Sequence, residues 1–375
     1  MKRALAVLFS TFALLGASGA PAEAPFAVVR APFVFHFPSD HGAHSLYQTE
    51  WWYFTGHLRA ADGRRFGYEL TFFRARLRRE DADEVPAPGV TGRSHWRGDQ
   101  VYAAHFAITD EAGRTFFHTE RAARQALGLG SAATGRLEVR AADWSLLGTA
   151  LADSARERMT LHAAAAANRL DLVVTPLKPP AIHGKEGVVR KGACATCASH
   201  YYSYSRLTTR GVLAYGGTNF KVDGLSWMDH EFGTNQLTQD EVGWDWFSLQ
   251  LDDGRELMLY RFRRKDGSYA PQALGSLIDR AGRVRSLGAG QFAVTAAGRW
   301  RSSKTQADYP SGWRVQVPSA GIDVNLAPVV ADQEIVLSTG PSYWEGAAEV
   351  RDAKSVRTLG RAYVELTGYA EPVVI

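Results

Sequence analysis

The sequence predicts an all-β protein made of two small antiparallel β-barrels or sandwiches in tandem. Three observations point there. Short alternating or continuously apolar runs recur at intervals of about 10 residues between Asp-Gly and Ala-Gly turns. Glycine is abundant, at 36 against 15 prolines. Helical periodicity is almost absent. With 375 residues, 45% of them hydrophobic and 22% charged, the chain has the balance of a folded protein and the length of about two domains.

Residues 1–20 read as a secretory signal peptide: Lys2 and Arg3, an apolar run from Ala4 to Leu15, then small residues through Ala20. The run is short for a membrane span of about 20 residues, and Pro21, Glu23 and Pro25 follow it. The mature protein is therefore expected to be periplasmic or secreted. Loss of Lys2 and Arg3 takes two charges from the formal +4 and leaves +2. Such a balance offers no basic stripe for a nucleic-acid backbone.

An N-terminal domain is expected over 25–215, with strands at 51–59, 65–73, 101–109 and 115–120. The Ala-rich stretch 154–167 and the residues after it alternate better as strands than as a helix. A C-terminal domain is expected over 216–375, with strands at 245–251, 256–263 and 273–279. The seam is placed at Tyr215-Gly216-Gly217-Thr218, where glycines separate the two series. Cys194-Ala195-Thr196-Cys197 sits in a loop rich in Gly, Ala and Lys. In an exported chain two thiols this close favour a disulfide, with free thiols or a redox pair as alternatives. One such motif supplies only two metal ligands, and no cofactor is expected.

Chemistry concentrates in aromatic and polar clusters: Glu50-Trp51-Trp52-Tyr53, Tyr201-Tyr202-Ser203, Trp227-Met228-Asp229-His230-Glu231-Phe232-Gly233, Gly243-Trp244-Asp245-Trp246-Phe247, Tyr343-Trp344-Glu345-Gly346, and Tyr363-Val364-Glu365-Leu366-Thr367-Gly368-Tyr369. In these strings, which span most of the mature chain, the sequence resembles the carotenoid 1,2-hydratase (hydroxyneurosporene synthase) and AttH-like family. The resemblance implies two lipocalin-like, calycin-type barrels. It further implies a hydrophobic polyene, terpenoid or lipid as partner, and a hydro-lyase reaction if the protein is an enzyme. The hydratase members pair a His-x-Trp segment with a later Tyr-x-Asp. Here these map onto His230-Glu231-Phe232 and Tyr260-Arg261-Phe262, so the acid position is filled by Phe262.

Adding water to an isolated alkene requires an acid able to protonate carbon, a means of stabilising a tertiary cation, and a held water. A carboxyl group in an apolar pocket serves as such an acid, and aromatic faces serve the cation. The catalytic candidates are Asp229, His230, Asp245 and Tyr260, with Glu231 as a further proton source. The ligand-binding candidates are Glu50, Trp52, Tyr202, Trp227, Trp244 and Trp246. If 227–233 is a strand, Asp229 and Glu231 share one face and His230 takes the other.

Structural readings stand beside these: an Asp229–His230 hydrogen-bonded pair, Glu50 as partner of an arginine, and Glu345 and Glu365 as structural residues. The alternative function is a non-enzymatic carrier of a lipophilic ligand, with contact to a membrane surface or an export transporter. A third reading, a secreted hydrolase, has little support, since the sequence has no Gly-x-Ser-x-Gly elbow.

Overall fold

The computed structural model describes residues 26–77, 99–151, 157–192, 194, 196–234, 237–338 and 340–373. The expected leader lies outside them. Among the described residues there is no α-helix, only three short 3₁₀ turns. The first sheet has 13 strands: β1 (Thr49–Ala60), β2 (Arg65–Arg76), β3 (Gln100–Asp110), β4 (Thr115–Arg124), β5 (Gly130–Ala132), β6 (Glu138–Ala141), β7 (Trp144–Ala150), β8 (Glu157–Ala165), β9 (Asn168–Pro176), β10 (Ala181–Ile182), β11 (Val189–Arg190), β12 (Ala198–Tyr215) and β13 (Thr218–Thr234). The second has ten: β14 (Glu241–Leu251), β15 (Glu256–Arg264), β16 (Leu274–Ile278), β17 (Val284–Gly288), β18 (Ala293–Ala296), then, beyond a separate β19–β20 ribbon (Arg299–Arg301, Asp308–Pro310), β21 (Trp313–Val317), β22 (Ile322–Pro328), β23 (Glu334–Ile335), β24 (Tyr343–Asp352) and β25 (Thr358–Leu366).

Both sheets curl in the same way. The first strand of each pairs with its last, β1 with β13 and β14 with β25, which removes exposed edges at that point. The boundary between the sheets falls after Thr234, later than expected at 215/216. Gly216 and Gly217 have φ of 58° and 82°, the two consecutive positive values of a tight hairpin turn that only residues such as glycine adopt cheaply. That turn joins β12 to β13 within the first sheet; it is no linker.

Burial along the strands shows where the two halves meet. β8 and β9 alternate buried with exposed positions, as strands with one face in water do. By contrast β1, β13, β14, β24 and β25 are buried over most of both faces. One face of each fills its own barrel, and the other packs against the opposite sheet. A Cβ on Gly67 of β2 would come within 2.7 Å of the Ala347 Cβ of β24, so the two sheets approach too closely there for a side chain.

Polar bridges fix the contact. Tyr53 donates to Glu345 at 2.8 Å, Thr109 to Gln333 at 2.7 Å, and the Gln250 amide donates to the carbonyls of Ser205 and Ser226 at 2.8 and 2.9 Å. Glu256 accepts from Lys178 at 2.6 Å and from Arg206 at 2.5 Å.

Candidate functional site between the barrels

Strand alternation decides which side chains enter the space between the sheets. Cross-strand partners of an antiparallel pair share a face. Tyr53 therefore lies beside Asp229, Trp51 beside Glu231, Trp246 beside Tyr260 and Glu365, and Trp244 beside Phe262. Together these residues line a cavity of about 510 Å³, with Phe73, His105, Lys191, Tyr201 and Tyr343 completing much of its wall. The wall is mostly apolar and aromatic, as small-molecule sites generally are.

Two carboxyl groups in this wall stand out. Asp229 is buried on β13, and its Oδ2 accepts from Tyr201 at 2.6 Å. Its Oδ1 accepts from Trp227 Nε1 at 2.5 Å and from Ser203. Burial pushes its pKa to about 7 despite these three donors, with Glu231 adding to the rise. Glu365 is half-buried on β25, accepts from Trp244 Nε1 at 2.8 Å, and is likewise pushed to about 7 by desolvation and by the charges of Asp229 and Glu231. Each acid sits on the last strand of its barrel opposite an aromatic residue of the first strand. Each also has a polar partner on the preceding strand: Ser203 opposite Asp229, Glu345 opposite Glu365. The site thus has a near-repeat in its two halves. Behind it, burial together with Glu365 and Glu69 pushes Glu345 well above the carboxylate range.

Glu231 is held differently. Lys191 Nζ lies 2.5 Å from its Oε1, and the same ammonium sits 4.6 Å above the Tyr260 ring and 5.6 Å above that of Phe262. The Lys191 amide donates to the carbonyl of Cys197, which is disulfide-bonded to Cys194. This small covalent loop therefore adjoins the residue that brings the cation to the cavity.

Several expected site residues lie elsewhere. Asp229, Tyr260, Trp244, Trp246 and Glu50 contribute to the cavity lining; His230, Asp245, Trp52, Tyr202 and Trp227 do not. His230 takes the opposite face of β13 from Asp229, so the two form no hydrogen-bonded pair. It stacks on Trp52 at 4.9 Å inside the first barrel and bonds Glu50 Oε1 at 2.8 Å and the Tyr202 hydroxyl at 3.1 Å. Burial holds its pKa down.

Burial alone would raise the pKa of Glu50, but bonds from His230 and His44 and the Arg74 charge bring it well below its usual range. The donor atoms of His44, Glu50 and His230 lie close together. Arg74 Nε already occupies Glu50 Oε2 at 2.9 Å, so the group is a neutralised hydrogen-bond cluster with its carboxylate in use, poorly suited to a cation. Asp245 points into the second barrel, where Arg261 and Arg263 at 3.2 and 3.1 Å and the hydroxyls of Tyr269 and Tyr369, both at 3.0 Å, use both its oxygens. Trp227 stands behind Asp229 as its hydrogen-bond donor.

Glu365 and Lys191 are the site residues that sequence reasoning passed over. The signal for Glu365 was available: on a strand, 363, 365 and 367 share a face, and that string carries the family resemblance. Lys191 lies in an irregular segment without periodicity, and nothing local marked it.

Two antiparallel barrels packed face to face around an acid-bearing aromatic cavity define a two-barrel protein. The chain belongs to the AttH-like family, whose model matches residues 28–369. It is similar to an AttH protein from Nitrosomonas europaea at 33% identity, over 92% of this chain and 100% of that one, with a TM-score of 0.79. The fold also matches kievitone hydratase from Nectria haematococca at 12% identity and a TM-score of 0.62, over 92% and 96% of the two chains. It matches CghA at 12% identity and 0.52, over 93% and 96%. No curated protein matches the sequence.

Proposed function

We propose that the protein is a hydratase-like enzyme that adds water to an alkene of a hydrophobic polyene, terpenoid or lipid held between its barrels. The observation that carries this reading is Asp229: a carboxyl group that burial holds protonated near neutrality, in an aromatic cavity that also contains Glu365. In this mechanism neutral Asp229 gives its proton to the less substituted alkene carbon. The neighbouring tertiary cation is faced by the rings of Tyr53, Trp246 and Tyr260. Ionised Glu365 takes a proton from the water that attacks the cation. The product is a tertiary alcohol, and the proton returns from Glu365 to Asp229 through solvent exchange.

Two like charges in one low-dielectric site oppose joint ionisation, which favours one protonated and one ionised acid at the same pH. With Phe262 at the family's acid position, Glu231 paired to Lys191 and Asp245 turned away, Asp229 is the acid that geometry supports. A cavity of about 510 Å³ suits a drug-sized ligand, so a long polyene would place only one end inside. The protein is exported after leader cleavage and meets this substrate in the periplasm or outside the cell.

The mostly apolar wall also suits a carrier that does no chemistry. Native mass spectrometry with lipid extraction, set beside turnover of acyclic polyenes by wild type and Asp229→Asn, separates the two. Conversion by wild type and none by the variant, with ligand bound to both, supports the enzyme. A ligand left unchanged by both overturns it in favour of the carrier.

A further inference from the structure

Behind Asp229 runs a chain of hydrogen bonds that the proposed reaction does not itself use. The Ser203 hydroxyl bonds Asp229 Oδ1 and lies 2.7 Å from His183 Nε2. His183 Nδ1 lies 2.8 Å from the Ser276 hydroxyl of β16. All four side chains are buried. His183 follows β10, and its amide donates to the Tyr201 carbonyl at 3.0 Å. Its ring packs on that of Tyr201 at 4.4 Å. The backbone and the tyrosine therefore hold the imidazole in place, and only its proton is left to move.

A hydroxyl carries one hydrogen. When Asp229 is ionised, Ser203 spends that hydrogen on Oδ1, and its oxygen is free to accept from His183 Nε2–H. Nδ1 then accepts from Ser276. When the acid proton sits on Oδ1, Asp229 donates to the Ser203 oxygen, and the Ser203 hydrogen turns to an unprotonated Nε2. The imidazole proton must then be on Nδ1, donated to Ser276. In either arrangement each contact of the chain sets one hydrogen against one lone pair, and mixing the two leaves two hydrogens or two lone pairs facing each other in a buried site.

We propose that His183 is a positioning residue whose tautomer is tied, through the Ser203 hydroxyl, to the proton state of Asp229. The inference rests on the reading of Asp229 as the acid of the site. The imidazole itself stays neutral at working pH, since burial and nearby Lys191 bring its pKa down to about 3. Proton movement along the chain therefore exchanges one neutral tautomer for the other and creates no cation. The ionisable groups that face the pair are Tyr201 from β12, Glu231 from β13, Tyr53 from β1, Tyr260 from β15, Glu345 from β24, Glu365 from β25, and Lys191 from the segment after β11. Burial holds the tyrosines and Glu345 in their neutral forms, and Glu231 is ion-paired with Lys191, which leaves Glu365 as the group that broadens the transition.

The test is two-bond ¹H–¹⁵N correlation spectroscopy on the full chain with labelled histidine, from pH 5 to 9, beside ¹³C carboxyl shifts of labelled aspartate. The expected result is that His183 changes from the Nδ1–H to the Nε2–H tautomer with the same midpoint as Asp229. In Ser203→Ala the His183 tautomer is expected to stop following pH while Asp229 still titrates, at a higher midpoint for want of a donor. A His183 that keeps one tautomer across the range in wild type, or becomes doubly protonated within it, overturns the coupling. Turnover of alkenes with a fixed tautomer would overturn only the coupling. A coupled transition in a protein inert on alkenes would overturn only the proposed function.

Discussion

Replacing Asp229 by Asn should make the protein more stable in alkali and leave it nearly unchanged in acid. The folded carboxyl titrates near 7 against 3.8 for the free side chain. Between those values the folded protein holds a proton that the unfolded chain has lost, so wild-type stability falls as pH rises through that window and is flat above it. At about 1.36 kcal/mol per pH unit the fall is about 4 kcal/mol.

The asparagine does not titrate and escapes it. Its amide meets Tyr201, Trp227 and Ser203, which are arranged as donors to a carboxylate, and this mismatch costs about 1–2 kcal/mol at every pH. The variant should therefore be slightly less stable than wild type at pH 4 and about 2–3 kcal/mol more stable at pH 8. Urea denaturation followed by tryptophan fluorescence at the two pH values gives both differences. A stability difference that does not change with pH would refute the premise that Asp229 is a desolvated acid.

Two further outcomes follow from the buried ion pairs of Glu50 and Asp245. Arg74→Met leaves the Glu50 carboxylate buried with only histidine partners and should cost about 3–5 kcal/mol, largely restored in the double variant with Glu50→Gln; a neutral effect in chemical denaturation would show that the pair does not hold β1 to β2. Asp245→Asn weakens the Arg261 and Arg263 contacts inside the second barrel and should lower stability by about 2–4 kcal/mol while ligand binding and turnover persist; loss of turnover in a well-folded variant would move the acid from Asp229 to Asp245.

The strand series was legible because turn chemistry is local. Asp-Gly and Ala-Gly pairs mark where a chain must reverse, and β2, β3, β14 and β15 begin and end within a few residues of the expected positions. The boundary at Gly216 failed because the same glycine signal serves a hairpin and a linker alike, and only the pairing of β13 with β1 decides between them.

In the site, alternation correctly separated Asp229 from His230, yet it does not say which face of β13 meets the other barrel. That depends on long-range packing, which also turned Asp245 inward despite its two tryptophan neighbours. Glu365 was read as structural because buried acids usually are. Its position relative to Trp244 and Asp229 becomes apparent only when two strands more than a hundred residues apart in sequence lie side by side.

The matched placement of Asp229 and Glu365, each on a closing strand opposite an opening-strand aromatic, is the layout of a symmetric dimer interface written into one polypeptide. In a true homodimer both sides of such an interface must be identical, so a site on the axis presents the same two walls to any ligand. Covalent fusion lifts that requirement. One side has an aspartate beside Tyr53 and the other a glutamate beside Trp246, with Lys191 on a single wall. A pseudo-dimer of this kind gives an unsymmetrical molecule one preferred orientation and lets two nearly equivalent acids hold different proton states. A single barrel, expressed alone, would present only one of the two acids and an open apolar face.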